Sequence, residues 1–223
     1  MIVSQLKEIK SQLPTNVTLV AVSKTKPESA ILEAYEAGQR IFGENKVQEM
    51  VTKWENLPKD ISWHLIGHLQ TNKVKYMAPF VSLVHGVDSL KLLKEINKEA
   101  LKNNRIIDCL LQLKIAEETT KFGLSEAQVQ ELLHSDNFKE LKNIRIKGLM
   151  GMASFTPNKN QIQQEFENLK NYFDALKTTP NLPKNVTIET LSMGMSSDYS
   201  IAINSGSNMI RVGSSIFGQR NYN

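Results

Sequence analysis

Lys24 closes the apolar, β-rich run Val17-Thr18-Leu19-Val20-Ala21-Val22-Ser23 and is followed by Thr25-Lys26-Pro27. A lysine at the C-terminal end of a buried strand carries its amine to the loop face of an α/β sheet, where such folds put their chemistry. Burial there disfavours the ammonium form, and a neutral amine can attack an aldehyde to form an imine. The plainer role is a snorkelling lysine, with its stem on the strand end and its head in water.

Two further segments bear on that choice. Leu191-Ser192-Met193-Gly194-Met195-Ser196-Ser197-Asp198 is dense in small and hydroxyl residues and leads toward a helix. Arg211-Val212-Gly213-Ser214-Ser215-Ile216-Phe217-Gly218 follows the next apolar run. Hydroxyls and backbone N–H groups at a helix N-terminus suit a phosphate. Gly213 would let the backbone approach a ligand, and Ser214 would add a hydroxyl. Each segment alone could be an ordinary helix cap. Side by side, across from a lysine, they favour a phosphorylated ligand. An imine-forming lysine facing a phosphate cradle points to pyridoxal 5′-phosphate. Arg211 lies inside the last strand, where a charge must be paired or must contact a ligand. Glu189 is the candidate for an ion pair. Otherwise the guanidinium would face the pyridine nitrogen, keep it unprotonated and limit carbanion chemistry.

The elements that must carry these residues alternate. A helix over residues 2–13 precedes the first strand, which is expected to end at Lys24. A helix over 28–37 stops at Gly38. Strands are expected at 40–43, 61–67, 81–87, within 105–115, and at 144–150, 186–191 and 208–212. Helices are expected between them, including 44–54, 89–103, one capped by Ser125 with Gln128 at capping-box spacing, 161–177 and 197–205. Several strands are continuous apolar runs, as in a parallel sheet buried on both faces. Eight βα units predict a (β/α)8 TIM barrel with an extra N-terminal helix, one domain over residues 1–223. An open doubly wound sheet is the alternative.

Composition excludes several function classes. The 223 residues are 40% hydrophobic and 22% charged, with a net charge of +4 spread over scattered lysines. No basic stripe with interleaved aromatics points to nucleic acid. No apolar run is long enough to span a bilayer, and the N-terminus lacks the apolar core of a signal peptide. Cys109 is the single cysteine, expected as a small buried hydrophobe in a cytoplasmic protein. His64 and His68 have i, i+4 spacing but straddle a strand end, so no metal site is expected. His64 is expected to line the pocket mouth or to bond a backbone carbonyl, and His85 could face the pocket. Lys121-Phe122-Gly123 is a basic turn after the fifth strand. Met150, Met152, Met193 and Met195 are expected as packing filler.

The segments Ala21 to Pro27, Phe42 to Glu49, Trp63 to Lys73, Gly148 to Met150, Leu191 to Asp198 and Met209 to Gly218 together resemble the pyridoxal phosphate homeostasis protein family. Its members are similar to the barrel domain of alanine racemase. The match is collinear over nearly the whole chain. It implies that Lys24 holds the cofactor as an internal aldimine and that Arg211 approaches the pyridine nitrogen. Ser192, Ser196, Gly213 and Ser214 would surround the phosphate, and Asn45 would line the pocket. Ser214 departs from the threonine expected there but keeps the hydroxyl.

The chain stops at Gln219-Arg220-Asn221-Tyr222-Asn223. The second domain that gives racemases an opposing tyrosine is therefore not expected. Tyr199 and Tyr222 are the tyrosines nearest the pocket loops. Racemisation needs a proton donor on each face of the substrate. The expectation is thus a monomeric carrier or regulator with no catalytic residues, passing cofactor to apo-enzymes. A racemase-like enzyme, an aldolase-like barrel using Lys24 on a sugar phosphate, and a protein-interaction role are the alternatives.

Overall fold

The structure, a computed structural model, describes residues 1–116 and 122–219. Its strands are β1 (Thr18–Val22), β2 (Ile41–Glu44), β3 (Ser62–Leu65), β4 (Leu83–Val87), β5 (Ile107–Leu113), β6 (Ile144–Gly151), β7 (Val186–Met195) and β8 (Met209–Val212). They pair in parallel in chain order, and β8 returns to β1, closing the barrel. Because every strand runs the same way, all eight C-terminal ends share one rim.

The helices around the barrel are α1 (Ile2–Gln12), α2 (Glu28–Glu36), α3 (Val47–Asn56), α4 (Val74–Met77) and α5 (Leu90–Lys102), then α6 (Glu126–His134), α7 (Asp136–Lys139), α8 (Lys159–Lys177), α9 (Tyr199–Asn204) and α10 (Ser214–Phe217). Their apolar stripes fall at helical spacing. In α8, Ile162, Phe166, Leu169, Phe173 and Leu176 are buried on one face. The expected start of α6 is present: the Ser125 side chain caps the Gln128 N–H, and the Gln128 side chain caps Ser125 in return. Gly38 ends α2 at φ +88°, the left-handed position that favours glycine after a helix. The extra helix α1 buries Leu6 and Ile9 and packs against α2 and α10, where β8 closes on β1. Among the described residues no helix is long and apolar enough to cross a membrane.

The core has two layers, as strand alternation requires. A large cluster, with Phe42, Trp63, Leu65 and Leu149 among its members, lies between the barrel and the helices. A smaller one fills the barrel interior with Val20, Leu83, Leu110, Met150 and Met209. Met150 is thus packing filler inside the barrel, and Met193 is filler in the outer layer. Cys109 is fully buried, and burial pushes its thiol pKa up.

Two of the strand ends that differ from the expectation bear on the site. β1 stops at Val22, so Lys24 lies in the turn beyond it rather than closing the strand. β7 continues through Ser192-Met193-Gly194 to Met195 instead of ending at Leu191. The small residues there lie in the strand because its neighbours need close approach. Gly194 sits at φ +96°, where an added Cβ would meet the Ala202 side chain at 2.6 Å.

Candidate functional site

Arg211 anchors the site from inside β8. Its side chain is fully enclosed, and burial lowers its pKa to about 10, with Asp198 pulling the other way. Nη1 donates to Ser192 Oγ at 2.5 Å, and Nη2 donates to the Gly151 carbonyl at 3.0 Å. Both acceptors are neutral. The expected alternative partner, Glu189, is engaged elsewhere, in an ion pair with Lys147.

The polar chain continues across the barrel. Ser192 Oγ lies 3.0 Å from His85 Nδ1, and His85 Nε2 lies 3.0 Å from His64 Nδ1. Four buried groups on β8, β7, β4 and β3 are thereby connected. A guanidinium can only donate. With the Ser192 hydroxyl donating onward, His85 and His64 each carry their proton on Nε2. Burial lowers the His64 pKa to about 3 and holds His85 well below its usual 6.5. Both rings are therefore neutral at physiological pH. His64 is buried, and the partner of its Nδ1 is the His85 ring rather than a backbone carbonyl.

Ser192 was expected in a loop around a phosphate. It lies instead within β7, wholly buried, with its hydroxyl committed to Arg211 and His85. Ser196 follows β7, and its Oγ accepts from the Gly213 N–H at 3.1 Å, so the loops after β7 and β8 do meet. Gly213 has φ −120°, which any residue can adopt. Its close neighbour is β1: an added Cβ would lie 3.2 Å from both the Cβ and the carbonyl oxygen of Val22. Ser214 is exposed on the same rim. α9 has 6 residues and α10 has 4, so neither short helix supplies the dipole that the sequence argument invoked. Anion binding here would rest on hydroxyls and individual N–H groups. Asn45, half-buried, follows β2, and its backbone abuts Gly67 just beyond β3.

Lys24 is half-buried in the turn after β1, which hydrogen-bonds in parallel with β8. The turn closes through Lys26 N–H to the Ser23 carbonyl at 3.0 Å. Lys24, Asn45, Ser196, Gly213 and Ser214 therefore share the C-terminal rim, with Arg211 one residue inside it.

Beside this turn lies a cluster that sequence reasoning missed. Lys53 of α3 donates to Glu44 Oε1 at 2.7 Å, to Glu49 Oε1 at 2.7 Å and to the Ser23 carbonyl at 2.8 Å. Glu44 is completely buried, and burial raises its pKa against the pull of Lys53. A signal existed: Val47, Met50 and Lys53 recur at i, i+3 and i+6, the buried face of α3.

The remaining candidates fall outside the constellation or outside the described residues. His68 stacks on Phe122 at 4.3 Å and sits 3.5 Å from Asp88. Among the described residues no group of three His, Cys, Asp or Glu could hold a metal ion. Tyr199 packs half-buried against the outer core. Lys121 and Tyr222 lie outside the described residues.

The family described as alanine racemase, N-terminal domain, matches residues 2–221. The chain is 39% identical over 205 residues to a pyridoxal phosphate homeostasis protein of Aquifex aeolicus (strain VF5), covering 92% of this chain and 87% of the relative. PipY of Synechococcus elongatus PCC7942 has the same architecture. Solved without PLP, it gives a TM-score of 0.90 at 36% identity, covering 98% of this chain and 100% of that one. Solved with PLP bound, it gives 0.87 at 35% identity with the same coverage. Alanine racemase of Clostridium difficile 630 shares the fold at 17% identity and a TM-score of 0.77, with all of this chain aligned to 56% of that one.

Proposed function

The chain belongs to the pyridoxal phosphate homeostasis protein family, and we propose that it holds pyridoxal 5′-phosphate reversibly at Lys24 and acts in intracellular vitamin B6 balance. The observation that carries this proposal is the enclosed Arg211 guanidinium, hydrogen-bonded among the described residues to two neutral acceptors, one residue inside the rim that bears the Lys24 turn. The PLP-bound structure of the relative PipY supports it.

The residues present fit the group. A half-buried amine, an interior cation free to share a donor with a ring nitrogen, and rim hydroxyls with nearby N–H groups supply three kinds of contact. When bound, pyridoxal phosphate supplies an aldehyde that condenses with an amine and releases water. Lys24 provides that amine. Arg211, held from behind by Ser192 and Gly151, offers a permanent positive charge to the ring nitrogen and so keeps a proton off it. Ser196, Gly213 and Ser214 hold the phosphate, and Asn45 lines the pocket. These assignments favour holding over turnover, because a ring nitrogen kept unprotonated is a weak electron sink. Tyr199, the described tyrosine near these loops, is occupied in core packing. The protein then acts as a carrier or regulator, a cytoplasmic monomer passing cofactor to apo-enzymes. Its lone buried cysteine suits a reducing compartment.

Borohydride reduction of the purified protein, followed by peptide mass mapping, tests the proposal. A pyridoxyl phosphate adduct on Lys24, absent in Lys24→Ala, is expected. A folded protein whose Lys24 stays unmodified after added pyridoxal phosphate would refute it. Amino-acid turnover that disappears in Lys24→Ala would refute the carrier role.

A further inference from the structure

We infer that Lys53, together with Glu44 and Glu49, is a positioning group for Lys24, a buried charge cluster that holds the turn carrying this lysine. The inference rests on Lys24 being the cofactor lysine.

The turn has a conformational problem. Thr25 sits at φ +63°. The other described non-glycine residues at positive φ are Asn104 and Asn181, and asparagine tolerates that region. A β-branched residue does not, and such an outlier persists only where its surroundings over-determine it. Here they do. The Thr25 N–H donates to Glu49 Oε1 at 2.6 Å. The Ser23 hydroxyl donates to Glu44 Oε1 at 2.5 Å, and the Ser23 carbonyl accepts from both Lys53 Nζ and the Lys26 N–H. At the far end, Lys26 Nζ donates to the carbonyls of Phe217, Gly218 and Gln219 at 2.9, 3.1 and 3.1 Å. The residues on both sides of Lys24 are thus fixed through main-chain atoms.

Packing alone does not call for this arrangement. Lys53 is 5% exposed and Glu44 not at all. A buried ion pair is often no more stabilising than apolar residues of the same volume. An apolar contact would seat α3 on the barrel equally well. It would not supply a donor for the Ser23 carbonyl or an acceptor for the Thr25 N–H. All three ammonium protons of Lys53 have acceptors, two carboxylates and one turn carbonyl, so the cluster is complete only when the turn is in place.

The test compares wild type, Lys53→Met, Lys53→Met/Thr25→Gly, Glu49→Gln and Glu49→Ala. Glycine adopts φ +63° without strain, and glutamine keeps an acceptor for the Thr25 N–H. Each protein is checked for folding by circular dichroism. Each is then labelled at Lys24 in two ways, with pyridoxal phosphate and borohydride and with formaldehyde and borohydride, and the adducts are counted by peptide mass mapping. The formaldehyde arm needs no cofactor site. Lys53→Met should label about tenfold more slowly in both arms, equivalent to about 1.4 kcal/mol. Adding Thr25→Gly should recover most of the rate. Glu49→Ala should be slowed and Glu49→Gln should stay near wild type, which keeps the test open if Lys53→Met fails to fold. Wild-type labelling rates in folded Lys53→Met or Glu49→Ala would overturn the inference. So would a folded double variant that Thr25→Gly does not rescue. Wild type that labels with formaldehyde but not with pyridoxal phosphate would instead sink the proposed function, leaving the formaldehyde arm to judge the clamp.

Discussion

Replacing Lys53 with methionine should cost stability in a way that depends steeply on pH. The substitution keeps the side-chain volume but leaves Glu44 buried with Ser23 as its remaining partner. Burial already raises the Glu44 pKa, and Lys53 pulls it down both as a charge and as a donor. Without that pull the carboxyl moves further up, and the neighbouring Glu49 charge pushes in the same direction. The native state then keeps a proton that the unfolded chain releases near the ordinary value of 4.5. Stability therefore falls as pH rises through and above that value, until the raised native pKa is reached. Holding the proton costs about 1.36 kcal/mol for each pH unit above 4.5. The ceiling is about 0.7 kcal/mol at pH 5 and about 3.4 kcal/mol at pH 7. Wild type carries part of this cost, so these are upper limits on the difference between the two proteins. The value at pH 7 falls at the low end of the loss of about 3–5 kcal/mol for breaking a buried pair, because the carboxyl can escape by protonating at Oε2, which has no partner among the described residues. Urea denaturation of both proteins from pH 5 to pH 7 measures the difference. It should widen with pH, and adding Glu44→Gln should flatten it. A deficit that is equal at both ends, or larger at pH 5, would refute the reasoning.

Two further outcomes follow from the interior chain. Ser192→Ala removes an acceptor of buried Arg211 and the Nδ1 partner of His85 at once. It should lower unfolding free energy by about 1.5–3 kcal/mol, the range for a hydrogen bond to a charged group, and an unchanged denaturation midpoint would show that Arg211 finds another acceptor. His64 and His85 act with the opposite sign to Glu44. Their native pKa values lie below 6.5, so their stabilisation is complete above that pH. It is lost on acidification toward about 3 for His64, at up to about 1.36 kcal/mol per pH unit for each ring. Denaturation of His64→Gln between pH 6.5 and pH 4.5 should show a shallower acid slope than wild type, and an identical slope would mean that the ring does not titrate on unfolding.

The alternation of strands and helices was legible because a parallel barrel buries both faces of each strand. Runs such as Leu19 to Val22 and Cys109 to Leu111 are apolar on successive residues, which half-exposed strands rarely are. Strand ends were less legible because small polar residues there resemble a loop. Ser192 and Gly194 read as a turn, yet one hydrogen-bonds across the barrel and the other makes room for Ala202. Composition alone does not distinguish a hydroxyl facing a ligand from one facing a buried arginine. Lys53 was missed for a related reason. A lysine in an amphipathic helix is normally solvated, and its partners are Glu44 in β2 and Ser23 just after β1, so only the pairing of β1 with β2 beside α3 brings them together.

Arg211 and the Lys24 turn are held by separate networks in separate layers. Arg211 depends on β6 and β7 from within the barrel, through Gly151 and Ser192. The Lys24 turn depends on α3 from outside, through Lys53 and Glu49, and on the carbonyls of residues 217–219 through Lys26. No hydrogen bond among those described joins one network to the other. The interior set is built of neutral rings and a hydroxyl around one permanent cation, so it keeps its charge state across the physiological range. The outer set contains Glu44, whose pKa is raised by burial against the pull of Lys53. In the proposed role of holding a reactive aldehyde, the interior network would give the ring a constant charge environment and the outer one would fix the turn of the lysine that takes and releases it.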